Sequence, residues 1–216
     1  MPGFVGVVSQ VSEGECAMRV KRSPGLGRSI TFSSGWLRKV YHYEAEQDLA
    51  VLEERLNLAS GCSRAIRSIP EMSWRGGAEV VEVSQVRVRQ LRLLPGRECA
   101  DALPSLARDL DAMADWGMVH GDLNRKNILW TEEGYRLVDF EPVLCVRRTD
   151  GRTLLRGTAP YVHPEDLERD AISGLSDRLG FACFAGWVRG RFEKPREAVT
   201  HLSEPARALS FVDLSR

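Results

Sequence analysis

Asp122 and Asn127 stand five positions apart in the stretch His120-Gly121-Asp122-Leu123-Asn124-Arg125-Lys126-Asn127, and a second aspartate follows in Val138-Asp139-Phe140. Two carboxylates and an amide at such spacing suit phosphoryl transfer. One carboxylate orients a hydroxyl and takes its proton, while the amide oxygen and the other carboxylate hold Mg²⁺ against nucleotide phosphates. Asp122 is assigned the first role, Asn127 and Asp139 the second. Either aspartate alone would be an ordinary helix cap or strand end. The two spacings, with a hairpin between them, carry the assignment.

The elements that must position these residues can be read from apolar spacing. Ile128 to Trp130 and Tyr135 to Phe140 are short strands around Glu132-Glu133-Gly134. Leu103, Leu106, Leu110, Met113 and Ala114 form a helical stripe, closed by Gly117 as a left-handed cap. Leu175 to Val188 reads as a strongly apolar helix, and the chain between the hairpin and this helix as loop. Towards the N-terminus, Phe4 to Val11 and Glu15 to Val20 are predicted strands joined by Ser12-Glu13-Gly14. Tyr43 to Leu58 is a predicted helix with Leu49, Leu52 and Leu56 on one side. Strands at Glu79 to Val83 and Val86 to Leu94 follow, and Pro95-Gly96 breaks the chain. The expectation is an α+β fold: a β-rich lobe over residues 1–95 and a mainly helical lobe over residues 96–216.

Composition excludes several classes. Thirty Lys+Arg balance thirty Asp+Glu, so the chain has no global electrostatic claim on nucleic acid or anionic membrane. The longest apolar run, Phe181 to Val188, is too short to span a bilayer, and the start lacks a secretory pattern. A cytoplasmic protein is expected, or one delivered into a host cytosol. The five cysteines are scattered and the four histidines are not spaced for zinc, which predicts reduced, mostly buried thiols. Only four lysines occur: Lys21, Lys39, Lys126 and Lys194.

His120-Gly121-Asp122 with Asn127 resembles the catalytic loop of the protein-kinase superfamily, and Asp139-Phe140-Glu141 stands where its metal-binding Asp-Phe-Gly would be. Gly157-Thr158-Ala159-Pro160-Tyr161-Val162-His163-Pro164-Glu165 is similar to the end of a kinase activation segment. Asp177 resembles the buried aspartate that holds the catalytic-loop backbone. The resemblance implies a bilobal fold with ATP and Mg²⁺ between the lobes. It also implies that Asp177 accepts backbone N–H groups near His120, and that Glu165 meets an arginine such as Arg189 or Arg191.

On the N-terminal side, Gly3-Phe4-Val5-Gly6-Val7-Val8 looks like the second half of a glycine-rich phosphate-covering loop, with Gly3, Gly6 and Val8 at the nucleotide. Cys16-Ala17-Met18-Arg19-Val20 then resembles the Ala-x-Lys strand. Register sets Arg19 in the lysine's place, with Lys21 as the alternative cation and Glu46, or else Glu44, as the acidic partner. This alignment leaves no room for the family's first strand.

Gly121 replaces the arginine with which many kinases grip a phosphorylated loop, Asn124 replaces a lysine, and Glu141-Pro142 replaces the flexible glycine. His-Gly-Asp looks more like the atypical kinases, among them lipopolysaccharide-sugar kinases and antibiotic phosphotransferases. Three functions follow from the resemblance: a minimal Ser/Thr-type protein kinase, a small-molecule or lipopolysaccharide-sugar kinase, and a pseudokinase that acts as a binding module. The expected acceptor is accordingly a protein, or else a sugar or other small molecule.

Overall fold

The computed structural model describes residues 16–23, 26–33, 35–42, 46–77, 80–91, 96–140, 145–147, 153–155, 158, 161–169, 173–191 and 210–215. Strands β1 (Cys16–Ser23), β2 (Leu26–Phe32), β3 (Trp36–His42), β4 (Met72–Gly76) and β5 (Val80–Val86) form one antiparallel sheet in the order β1-β2-β3-β5-β4. Helix α1 (Glu46–Ser63) lies between β3 and β4 in the chain. It presents Leu56, Ala59 and Cys62, all fully buried, to a core that includes Val81 and Val83 of β5. β5 alternates buried and half-buried residues along its length, the period-two pattern of a strand with one covered face.

The rest of the chain is mainly helical: α2 (Arg97–Asp115), α3 (Pro164–Arg169), α4 (Gly174–Val188) and α5 (Phe211–Leu214). Two hairpins interrupt the helices, β6 (Ile128–Thr131) with β7 (Gly134–Leu137), and β8 (Cys145–Arg147) with β9 (Thr153–Leu155). α2 buries Leu103, Leu106, Ala107, Leu110 and Met113, the predicted stripe. α4 is apolar nearly all round and is buried from Ser176 to Val188 except at Arg178, as a helix enclosed on every side must be. Phe181 of α4 meets Phe211 of α5 edge-on at 5.7 Å. Asp111 of α2 fixes α5 by accepting the N–H groups of Phe211 and Val212. The architecture is the expected α+β arrangement of a β-sheet lobe and a helical lobe.

Several expected elements move. The strand expected over Glu15 to Val20 extends to Ser23 and pairs with Leu26–Phe32; β2, β3 and β4 were not anticipated. Residues 3–14 lie outside the described residues. Two strands precede β3, so the lobe has the first strands that the sequence alignment left out. The helix predicted from Tyr43 begins at Glu46 and runs to Ser63. Past Val86 the chain leaves the sheet, and Leu91 N–H reaches across to Trp130 C=O at 2.8 Å. β8, β9 and α3 occupy what read as loop. Their apolar content is too short and irregular to show a period. Among the described residues, no helix is long and apolar enough to cross a membrane. Cys62, Cys99 and Cys183 are buried, and burial pushes the Cys183 thiol up to about 12.

Gly180, in the middle of α4, sits against the loop that carries Asp122. A Cβ there would lie 2.0 Å from the Leu123 carbonyl oxygen, and both partners are backbone or helix core with no room to shift. Gly180→Ala is therefore expected to destabilise the fold by about 3 kcal/mol or more, beyond ordinary overpacking. That lowers the melting temperature by roughly 6–12 °C for a chain of this size. A calorimetric scan showing a shift under about 2 °C would refute this close approach.

Candidate active site

The loop that carries Asp122 is aimed by the end of α2. Gly117, at φ 75°, follows the helix, with Gly117 N–H bonded to Ala114 C=O and Met118 N–H to Met113 C=O. This pair of bonds is a Schellman cap, and it needs the left-handed residue that glycine supplies. The chain then turns sharply so that Met118 is buried and His120 begins the loop. Asp177, 1% exposed in the first turn of α4, accepts His120 N–H at 2.6 Å and Gly121 N–H at 2.8 Å. Complete burial pushes its carboxyl above the ordinary range. The charge of His120, the two N–H donors and Arg55 pull against that rise. Gly121 itself is at φ 78°, a backbone region that favours glycine, which accounts for glycine rather than arginine at this position.

Asp122 is buried and its carboxylate is held by three donors. Oδ1 accepts Asn124 Nδ2 at 2.9 Å and Thr158 N–H at 2.8 Å, and Oδ2 accepts Asn127 Nδ2 at 3.0 Å. Both amides also bond the Asp122 carbonyl. With its nitrogen committed to Asp122, Asn127 keeps its side-chain oxygen as the remaining donor to a cation. The β6–β7 hairpin returns the chain to this point: Ile128 pairs with Leu137, and Val138 N–H bonds Asn127 C=O at 3.0 Å. Its turn is closed by Thr131, whose hydroxyl donates to Gly134 C=O, and by Gly134 at φ 103°. Asp139 follows directly. It has the one positive φ (64°) among described non-glycine residues, a conformation that costs on the order of 1–2 kcal/mol.

That conformation presents the Asp139 carboxylate to Lys39 of β3, whose Nζ lies 2.5 Å from Oδ1. Lys39 is 1% exposed, and a lysine is buried that deeply only with an anionic partner. Asp139, with Lys39 bonded to it, lines a cleft of about 700 Å³ between the sheet and the β6–β7 hairpin. Leu37 of β3 lines it on one side and Leu129 and Val138 on the other, with residues 85–90 along its back. His120 ties the loops together: its Nε2 lies 3.0 Å from Val138 C=O and its ring 4.8 Å from Phe140. Asp122 N–H points at Nδ1 of the same ring, at 3.3 Å.

The structure thus brings Asp122, Asn127 and Asp139 to one place and adds Lys39, which the sequence reading did not select. Arg19 and Lys21 stand on β1, two strands from β3. Arg19 is opposite Ile30, and Ile30 is opposite Lys39, so Arg19 and Lys39 share a row about 10 Å apart across the sheet. Arg19 was expected in the place of the family's strand lysine; the lysine that meets Asp139 is Lys39, on β3. The two stretches share a local signal, because Leu37-Arg38-Lys39-Val40 and Ala17-Met18-Arg19-Val20 each set a basic residue two after an apolar one and just before a valine. The signals that would have selected Lys39 are the rarity of lysine and Gly25-Leu26-Gly27 earlier in the chain. Gly3, Gly6, Val8 and Glu44 lie outside the described residues. Glu46 opens α1, and its side chain is likewise outside them.

The end of the segment similar to an activation loop rests on α4. Asp166, 2% exposed, accepts Ser173 N–H, the Ser173 hydroxyl and the Ser176 hydroxyl, and Ser176 Oγ accepts His163 N–H. Glu165 meets Arg169 at 3.4 Å.

Residues 34–145, more than half of the chain, match the phosphotransferase enzyme family (APH). The chain belongs to that family. The matched span contains Lys39, Asp122, Asn127 and Asp139. This phosphotransferase is also 30% identical over 138 residues to mouse ribosomal protein S6 kinase alpha-2 and 28% identical to the human protein. Those alignments cover 57% of the chain but only 19% of each relative, so the chain spans about a fifth of the length of these curated relatives. Among solved structures it is similar to the PknI kinase domain of Mycobacterium tuberculosis, with a TM-score of 0.60 at 15% identity over 98% of this chain and 97% of that one. A cysteine-to-alanine mutant of that domain gives 0.59 with the same coverage. This likeness establishes a protein-kinase-like fold, and the family match establishes a phosphoryl-transferring enzyme.

Lys39→Met keeps the length of the side chain and removes its charge, leaving Asp139 without the cation. Transfer is expected to fall by roughly 10²-fold or more, the usual cost of losing one such electrostatic contact. Arg19→Ala and Lys21→Ala are expected to stay within a few-fold of wild type. A radiolabelled phosphate-transfer assay on the three variants checks this, and loss of activity in Arg19→Ala with full activity in Lys39→Met would reverse the assignment.

Proposed function

We propose that this phosphotransferase moves the γ-phosphoryl group of ATP to a serine or threonine hydroxyl of a protein. The observation that carries the reading is that Asn127 bonds Asp122 while the neighbouring Val138–Asp139 turn sets Asp139, a residue of the cleft, against Lys39. The cleft between Leu37 and Leu129 suits a purine ring, with residues 85–90 along its back. Lys39 neutralises phosphate charge while it orients Asp139. Asn127 and Asp139 supply oxygen donors for Mg²⁺. Among the described residues no group of three or more His, Cys, Asp or Glu forms a metal cage, which fits an ion completed by phosphates. Mg²⁺, when bound, would offset the charge that develops on the phosphates. Asp122 aligns the acceptor hydroxyl and takes its proton as the oxygen–phosphorus bond forms; the bond to the β-phosphate oxygen breaks and ADP leaves with the electron pair.

Two findings favour a protein acceptor. The curated relatives are named as kinases of a ribosomal protein, and the segment through Thr158 reaches the Asp122 carboxylate, as a platform for an extended acceptor would. The His120-Gly121-Asp122 loop favours the second reading, a sugar or other small-molecule acceptor. A catalytically silent binding module is disfavoured by membership of an enzyme family and by the assembled set of donors.

Asp122→Ala is expected to leave Mg-ATP affinity nearly intact while lowering turnover by roughly 10²-fold or more. Asp139→Ala should weaken nucleotide binding in Mg²⁺ far more than Asp122→Ala does. Titration calorimetry and single-turnover assays separate the two, and unchanged turnover in Asp122→Ala would remove it from the mechanism. Labelling with ATP in cell lysate should yield phosphoserine or phosphothreonine; label found only in sugars would decide for the second reading.

A further inference from the structure

The catalytic loop is gripped from two sides. Asp177 of α4 takes the N–H groups of His120 and Gly121. Arg55 of α1 takes the carbonyls of the preceding residues: its Nη2 lies 3.0 Å from Val119 C=O and 2.7 Å from His120 C=O. These four groups belong to two successive peptide units. In each, the carbonyl end faces the guanidinium and the amide end faces the carboxylate. A cation and an anion thus lie at opposite ends of two aligned peptide dipoles, the arrangement in which each charge strengthens the other's hydrogen bonds. The same Nη2 also lies 3.4 Å from Phe140 C=O, next to Asp139. One nitrogen therefore stands between the residues that precede Asp122 and the residue that follows Asp139.

Arg55 is half-buried, near the middle of α1, one position before the core residue Leu56. α1 packs with the β-sheet lobe, whereas Asp177 belongs to the helical lobe. We propose that Arg55 is a positioning residue that couples the placement of α1 to the geometry of Asp122 and Asp139; the proposal rests on the reading of those two as base and metal ligand. A shift of α1 by more than about 1 Å would carry both strong bonds out of hydrogen-bond range. It would leave the peptide units of the loop held on their amide side alone. The state of α1 is thereby transmitted to the transfer site without any contact between Arg55 and substrate.

The test uses Arg55→Met, which keeps much of the side-chain bulk without the donors, Arg55→Lys, which restores one charged donor, and Asp122→Ala in parallel. Steady-state ATP turnover in Mg²⁺ is measured together with amide hydrogen exchange of the peptide containing His120 and Gly121. Arg55→Met is expected to lower kcat by roughly 10- to 100-fold with the KM for ATP within about threefold. Exchange of the two amides should accelerate at least about tenfold while the α2 core stays protected, and Arg55→Lys should recover part of both losses. Wild-type kcat and wild-type protection in Arg55→Met would overturn the proposal. So would a rise in KM alone, or a uniform loss of protection across α2 and α4 in both Arg55 variants, which would mark a purely structural role. If Asp122→Ala keeps full turnover, the reading of the base fails, and the amide exchange of the Arg55 variants still decides the coupling.

Discussion

A carboxylate with no access to water must be given replacement donors, and Asp177 finds them in the backbone of the catalytic loop. This constraint organises the helical lobe. The loop cannot move away from α4 without stranding a buried charge, and it cannot sit higher, because Gly180 lets Leu123 C=O come into contact with the helix itself. The neighbouring residue, Ser176, accepts His163 N–H and donates to Asp166, so the segment after Thr158 is referenced to the same turn of α4. Two consecutive side chains therefore set the relative position of the loop carrying Asp122 and the segment that faces it.

The β-sheet lobe contributes its own buried charge. Lys39 is enclosed within β3, and its anionic partner Asp139 is delivered by the β6–β7 hairpin of the other lobe. The left-handed backbone at Asp139 is sustained by what surrounds it: the ion pair, the bond from Val138 N–H to Asn127, and the contact of Phe140 with His120. Arg55 repeats the theme with donors from α1. The cleft between the lobes is thus bordered by charges whose partners lie across it, a design that makes the site depend on how the lobes meet.

The family match extends from residue 34 to residue 145 and so takes in β3, α1, the catalytic loop and Asp139, but not the segment from Gly157 to Glu165. It bears on the transfer chemistry, which resides in the matched span, more than on the acceptor, which the later segment faces. The kinase relatives align over 138 residues, and the PknI domain shares the fold at 15% identity, where chemistry is no longer implied by likeness.

How much was legible in the sequence follows from the range over which each interaction acts. The β6–β7 hairpin, the Gly117 cap and the stripe of α2 depend on residues within a few positions of one another, and local pattern was enough. That Asp122, Asn127 and Asp139 lie close together was legible for the same reason: one short hairpin joins them. Asp177 was found because motif order supplied a long-range link that periodicity could not. The identity of the buried cation was not legible. Arg19 and Lys39 each follow an apolar residue by two positions and precede a valine, and only tertiary packing sets Lys39 beside Asp139. Arg55 carries no local mark at all, since on a helix wheel it reads as one more solvated charge. Its meaning arises from two carbonyls more than sixty positions away in the chain. Short-range order is encoded in spacing, whereas a charge acquires a partner only when tertiary packing removes it from water and leaves one acceptor within reach.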